Sequence, residues 1–144
     1  MSTRLLHSAL TDRVIGVFYQ VHAELGGGHL ESVYANAMAI ALKDAGLRVD
    51  REMRIVVYFR GQAVGNFRAD ALVESVVILE YKAGTRLDPV WQEQLLNHLR
   101  NTRVEVGLML FFGPHALAKR RILTNDQKLL PPLESRPTFP TFPP

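Results

Sequence analysis

The chain is predicted to be an α/β domain, a mixed central sheet flanked by helices in the order α-α-β-β-β-α-β. Three observations carry this. Residues 10 to 45 place apolar side chains at helical spacing. From Met53 the period shortens to two, and β-branched and aromatic residues take over. A helical stretch from Asp88 then leads into the unbroken apolar run Val106 to Phe112, which reads as a strand buried on both faces.

Taken in order, LTDRVIGVFYQVHAEL sets Val14, Val17, Phe18, Val21 and Leu25 on one side of a helix, with Thr11 as the expected cap. Gly26 to Gly28 end it. A second helix is expected from about Leu30 to Ala45, with Val33, Tyr34, Ala37, Ile40 and Ala41 inward and Gly46 closing it. MRIVVYF is a strand, RGQ a turn, AVGNFRADALV a second strand, ES a turn and VVILEYKA a third. Asp88 caps the helix DPVWQEQLLNHLRNT, and Pro89 falls in its first turn, where a missing N–H costs nothing. VGLMLFF follows, and RRIL is a candidate for a last short strand. The domain is expected to span residues 1–130. The tail 131–144, PPLESRPTFPTFPP, has six prolines among its 14 residues, which bars a helix or a central strand. It is expected to be extended and mobile, with docking into an aromatic-lined groove as the alternative.

With 144 residues the chain is long enough for one domain with its own core. An apolar fraction of 47% fits an ordinary soluble protein. No apolar run approaches the roughly 20 residues that span a bilayer. The first residues, MSTRLLHSALTDR, lack an apolar signal core, so a cytoplasmic location is expected. The absence of cysteine excludes disulfides and thiolate metal sites. A formal net charge of +3 is compatible with a polyanionic partner without requiring one.

The informative stretch is ILEYKAG, Ile78 to Gly84, where a greasy strand carries Glu80 and Lys82. Alternation puts both on one face. A hairpin turning at Glu74–Ser75 then brings Asp70 close to opposite Glu80, where cross-strand Cβ atoms lie about 4.5–5.5 Å apart. Two carboxylates that close do not both ionise alone. A divalent cation removes the conflict, and hard oxygen donors suit Mg²⁺ or Mn²⁺. Lys82 then holds a water or offsets charge growing on a phosphate. The structural alternatives are an Asp70 pair with Arg68 or Lys82, and a solvated Glu80–Lys82 pair. The apolar run Val76 to Leu79 argues against the second.

Asp70 followed by Glu80-Tyr81-Lys82, after a helix and two strands, resembles the PD-(D/E)xK nuclease superfamily. Upstream, GHLESVY (Gly28 to Tyr34) is similar to the G-x-x-E-x-x-Y signature of a small bacterial branch, the GxxExxY proteins. The resemblance runs from about Ile15 to Leu123. It implies a restriction-endonuclease-like core, with Asp70, Glu80 and the Tyr81 main-chain carbonyl as metal ligands and Lys82 positioning a water. It further implies that Glu31 bonds a metal-bound water or a second metal, and that Gln94 steadies the site from the following helix. The family often has a tyrosine four residues later, where this chain has His98, so no hydroxyl can act there.

Other readings stand beside these. Glu31 opens a helix, where a carboxylate gains roughly 0.3–1 kcal/mol from the helix dipole alone. Tyr34 is expected to pack in the core with its hydroxyl bonded to a site residue. The triple glycine lacks the lysine-serine pair of a P-loop. His7, His22, His29, His98 and His115 show no zinc-helix pairing, and His29 near Glu31 reads as a surface residue. No G-x-S-x-G is present. AKRR, Arg100 and Arg103 are candidates for phosphate contacts or plain solvated charges. The sequence therefore predicts a metal-dependent nuclease acting on DNA or RNA, with a possible homodimer. The alternative is a catalytically silent binding or assembly module of the same fold. A two-carboxylate glycosidase, whose pairs stand roughly 5–9.5 Å apart across a sugar cleft, leaves Lys82 unexplained.

Overall fold

The computed structural model describes residues 6–130. The proline-rich tail lies outside the described residues. The elements are α1 (Ser8–Leu25), α2 (Glu31–Asp44), β1 (Val49–Phe59), β2 (Gln62–Val73), β3 (Val77–Ala83), α3 (Val90–Arg100), β4 (Val106–Phe112), β5 (Ala116–Ile122) and a short 3-10 turn at Asn125–Gln127.

The strands form a sheet in the order β1-β2-β3-β4-β5. Tight turns join β1 to β2, β2 to β3 and β4 to β5, and those pairs are antiparallel. β3 and β4 are parallel, because α3 carries the chain back across the sheet between them. Helices α1 and α2 cover one face. Their buried Val14, Phe18, Tyr34, Met38 and Leu42 pack on Leu79, Tyr81, Leu108 and Phe112. α3 covers the other face, setting Leu95 and Leu99 against Ile55, Ala69, Ile78 and Met109. β4 lies at the middle of this sandwich and all seven of its residues are buried. α3 packs directly on Gly107, where a Cβ would stand 2.6 Å from Leu95 Cδ1 and that side chain would have to shift.

Several boundaries differ from expectation for local reasons. α1 begins at Ser8, so Thr11 lies inside it, buried, its hydroxyl donating to the Ser8 carbonyl at 3.1 Å. In α2 the inward stripe is Tyr34, Met38 and Leu42, while Ile40 and Val33 are exposed. This alanine-rich helix is apolar nearly all round, so spacing alone does not select its face. β1 starts four residues early, at Val49, and β5 extends back to Ala116. Pairing with a neighbouring strand overrides the polar residues Asp50 and Arg51. Asp88 does cap α3, its Oδ1 accepting the Val90 N–H at 3.0 Å.

One irregularity places the site. In β2, Ala71 and Val73 face α1 and α2, whereas Ala69 and Phe67 face α3. All four are odd-numbered, so a regular strand would keep them on one side. The face reverses at Asp70. Its neighbour across the ladder, Glu52, has φ +56°, and the paired residues pass from Arg51–Ala71 to Met53–Ala69 without it.

Candidate active site

β2 and β3 leave their turn as a regular antiparallel pair. Glu74 and Ser75 take left-handed φ of 51° and 60°, and Val73, Leu72 and Ala71 stand opposite Val77, Ile78 and Leu79. The next pair in that register is Asp70 with Glu80, as the alternation predicts, but there the ladder ends. Asp70 is not a flat neighbour of Glu80 on a shared face. Its carboxylate turns into the gap where the strands part, and Oδ2 accepts the Tyr81 N–H at 2.6 Å. A side-chain oxygen thus satisfies a backbone donor that the broken ladder leaves unpaired.

Glu80 and Lys82 both turn toward α3. Glu80 is only 5% exposed, and its Oε1 accepts a hydrogen bond from His98 Nδ1–H. Lys82 Nζ donates to Gln94 Oε1 at 3.3 Å and lies 5.8 Å from the centroid of the Trp91 ring. Glu31 arrives from the first turn of α2 and shares the wall of a hollow with Ala83 at the end of β3. Glu31, Asn36, Arg51, Asp70 and Tyr81 line a hollow of about 320 Å³ beside the gap. The Tyr81 hydroxyl is buried and has no hydrogen-bond partner among the described residues.

Electrostatics tie these groups together. Burial pushes the Glu80 carboxyl above the usual range, the bond and charge of His98 oppose it, Asp70 adds to the rise and Lys82 draws it down. Burial likewise raises Glu31, with Lys82 opposing and Asp70 again adding. Both glutamates therefore feel the same acid and the same amine. Burial pushes the Tyr81 phenol well above its ordinary value, and Asp70 adds to that.

The structure separates the other expectations. Arg68 pairs with Glu52 at 3.4 Å, so the salt bridge considered for Asp70 goes elsewhere. The Tyr34 hydroxyl does not reach a site residue. It donates to the Gly26 carbonyl at 2.6 Å and accepts the His29 N–H at 3.2 Å. The His29 ring turns away, its Nε2 on the Leu25 carbonyl at 3.1 Å. Arg120 pairs with Asp12 at 3.4 Å, Arg121 binds Gln92 on α3, and Arg100 binds Asn97 at 2.7 Å. The contact that sequence reasoning missed is His98 on Glu80. Its only sequence signal is the four-residue step from Gln94.

Among the described residues, no group of three or more His, Asp or Glu side chains is arranged to hold an ion. The donor chemistry nevertheless fits a hard divalent cation: Asp70 and Glu80 offer carboxylate oxygens, Tyr81 its main-chain carbonyl, and the parted strands leave space for water. Asp70 adding to the raised pKa of both Glu31 and Glu80 is the electrostatic counterpart of such a site.

An α/β sandwich with an Asp and a Glu-x-Lys at the parting of two strands defines a nuclease-like class. The profile of the PD-(D/E)XK nuclease superfamily matches residues 8–122, and the chain belongs to that superfamily. Its fold is the restriction-endonuclease-like one expected. No curated protein matches the chain significantly. The crystal structure of SSO0001 is similar to this chain, with a TM-score of 0.54 at 14% identity over 86% of this chain and 63% of that one. The chain thus spans less than two thirds of that neighbour's length, and at this identity the likeness speaks for the fold alone.

Proposed function

We propose that the protein is a metal-dependent nuclease that hydrolyses phosphodiester bonds of DNA or RNA, and that it is a member of the bacterial GxxExxY branch. The observation that carries this is that Asp70, Glu80 and Lys82 come together where the β2–β3 ladder ends, Asp70 Oδ2 accepting the Tyr81 N–H and Lys82 Nζ donating to Gln94. Mg²⁺ or Mn²⁺ would be held by Asp70, Glu80 and the Tyr81 carbonyl. When bound it supplies Lewis acidity to a phosphate and lowers the pKa of a water. Lys82 holds the attacking water, with Gln94 fixing the amine. Its positive charge offsets the charge that builds as the new O–P bond forms and the ester P–O bond breaks. Glu31 orients a water at the same edge. The branch signature has a physical reading here: Tyr34 latches the Gly26–His29 loop and so delivers Glu31 to the head of α2.

The same reading takes residues 1–130 as the nuclease domain and 131–144 as its tail. It puts the protein in the cytoplasm, with a two-fold dimer assisting substrate capture. Among the described residues no helix is long and apolar enough to cross a membrane.

The test is cleavage of mixed single- and double-stranded oligonucleotides in Mg²⁺ and Mn²⁺, with EDTA as control. Asp70→Asn and Lys82→Ala are each expected to lower the rate by about 10²–10³, as for loss of other transition-state charge stabilisers. Parental rates in both variants, or cleavage indifferent to EDTA, refute the assignment. Mn²⁺ binding without cleavage of any substrate selects the silent binding module instead.

A further inference from the structure

α3 is matched to β3 like a ruler. Four helical residues advance about 6 Å, and two strand residues about 6.6 Å. A helix pair at i and i+4 therefore meets a strand pair two residues apart. Gln94 meets Lys82, and His98 meets Glu80, the helix running against the strand. The His98 ring is fixed by its surroundings. It stacks on Phe67 with centroids 4.6 Å apart and planes 28° apart, and its carbonyl accepts the Thr102 hydroxyl at 3.0 Å. The side chains of His98 and Glu80 are 13% and 7% exposed. A long carboxylate side chain is otherwise free to swing about its last torsions.

We propose that His98 is a positioning residue: it ties Glu80 Oε1 and leaves Oε2 with a fixed direction for the cation. This rests on reading Asp70 and Glu80 as cation ligands. Partners of metal ligands that donate through a ring N–H act by orientation, and their loss weakens metal binding. The donor ring of His98 packs on Phe67 of β2.

The experiment is calorimetric titration of the full chain with Mn²⁺ alone, without nucleic acid. Two variants divide the two properties of the ring. His98→Phe keeps a flat ring for Phe67 and removes the donor. His98→Asn keeps an N–H donor and loses the stack. His98→Phe is expected to weaken Mn²⁺ binding roughly tenfold to a hundredfold, and His98→Asn to stay within about threefold of the parent. Thermal melting checks that each variant is folded, and His98→Leu replaces the Phe variant if that one is not. Equal affinities in the parent, the Phe and the Leu variants overturn the proposal, provided Glu80→Gln binds weakly. An Asn variant as weak as the Phe variant overturns it too, because a purely structural ring explains that result. Should Asp70→Asn and Glu80→Gln bind Mn²⁺ like the parent, the cation reading itself fails and takes the role of His98 with it.

Discussion

Glu80 shows at the scale of one residue what the site costs the fold. The folded chain holds its proton more tightly than the unfolded chain, because burial outweighs the help from His98 and Lys82. Ionising it therefore costs stability. The cost is absent below the ordinary value of 4.5 and grows as pH rises through the elevated folded value. Glu80→Gln keeps the shape and still accepts from His98, but carries no charge to desolvate. It is expected to raise stability at pH 7 by on the order of 1 kcal/mol, a typical gain when a functional group is neutralised. The gain should grow with pH above 4.5 and vanish below it, read as the difference in Tm between variant and parent across pH. A pH-independent difference would mean that the charge is not what the fold pays for. The residues concerned were legible to different degrees. Glu80 and Lys82 stood out because strand alternation is local and a charge in an apolar run is conspicuous. His98 did not, because its contact depends on the register of a helix against a strand, and no local pattern encodes that.

At the scale of elements, the hairpin and the crossover followed from the residues. Glu74–Ser75 turns where expected, and Asp88 caps where expected. The face of α2 did not follow, since its alanines leave the period ambiguous and packing on β3 settles it. The reversal of β2 at Asp70 was also hidden, being shared with a left-handed Glu52 on another strand. The role of Tyr34 is likewise an element-scale matter. Buried and stacked on Phe112 with centroids 4.2 Å apart, it spends its hydroxyl on the loop between α1 and α2. Tyr34→Phe keeps the stack and strips the latch from one carbonyl and one N–H. The expected cost is about 1–2 kcal/mol, the penalty for partly buried polar groups left unpaired. Urea unfolding measures it, and faster amide exchange at His29 would locate it. An unchanged midpoint together with unchanged exchange would show that the loop holds itself.

Over the whole molecule, the proposed function makes charge the link between the site and a polyanion. The formal net charge is +3, yet the candidate centre gathers Glu31, Asp70 and Glu80 around one lysine. Arg51 also lines the hollow beside Asp70, and further positive charge lies on surfaces such as β5, where Arg120 and Arg121 already have partners. On the proposed reading, three carboxylates against Lys82 and Arg51 leave the centre repelling a nucleic acid until a cation is present. Cation and nucleic acid must then strengthen each other's binding by the same factor. With fluorescence anisotropy on a labelled duplex, Ca²⁺ in place of EDTA is expected to tighten binding several-fold, within the usual range of such couplings. The double variant Asp70→Asn, Glu80→Gln should bind as tightly in EDTA as the parent does in Ca²⁺, and should no longer respond to Ca²⁺. Each phosphate contact adds about −0.9 to the log–log salt slope on duplex DNA. A variant that still needs Ca²⁺ would place the cation elsewhere. A salt-independent affinity would mean that phosphates are not what the protein grips.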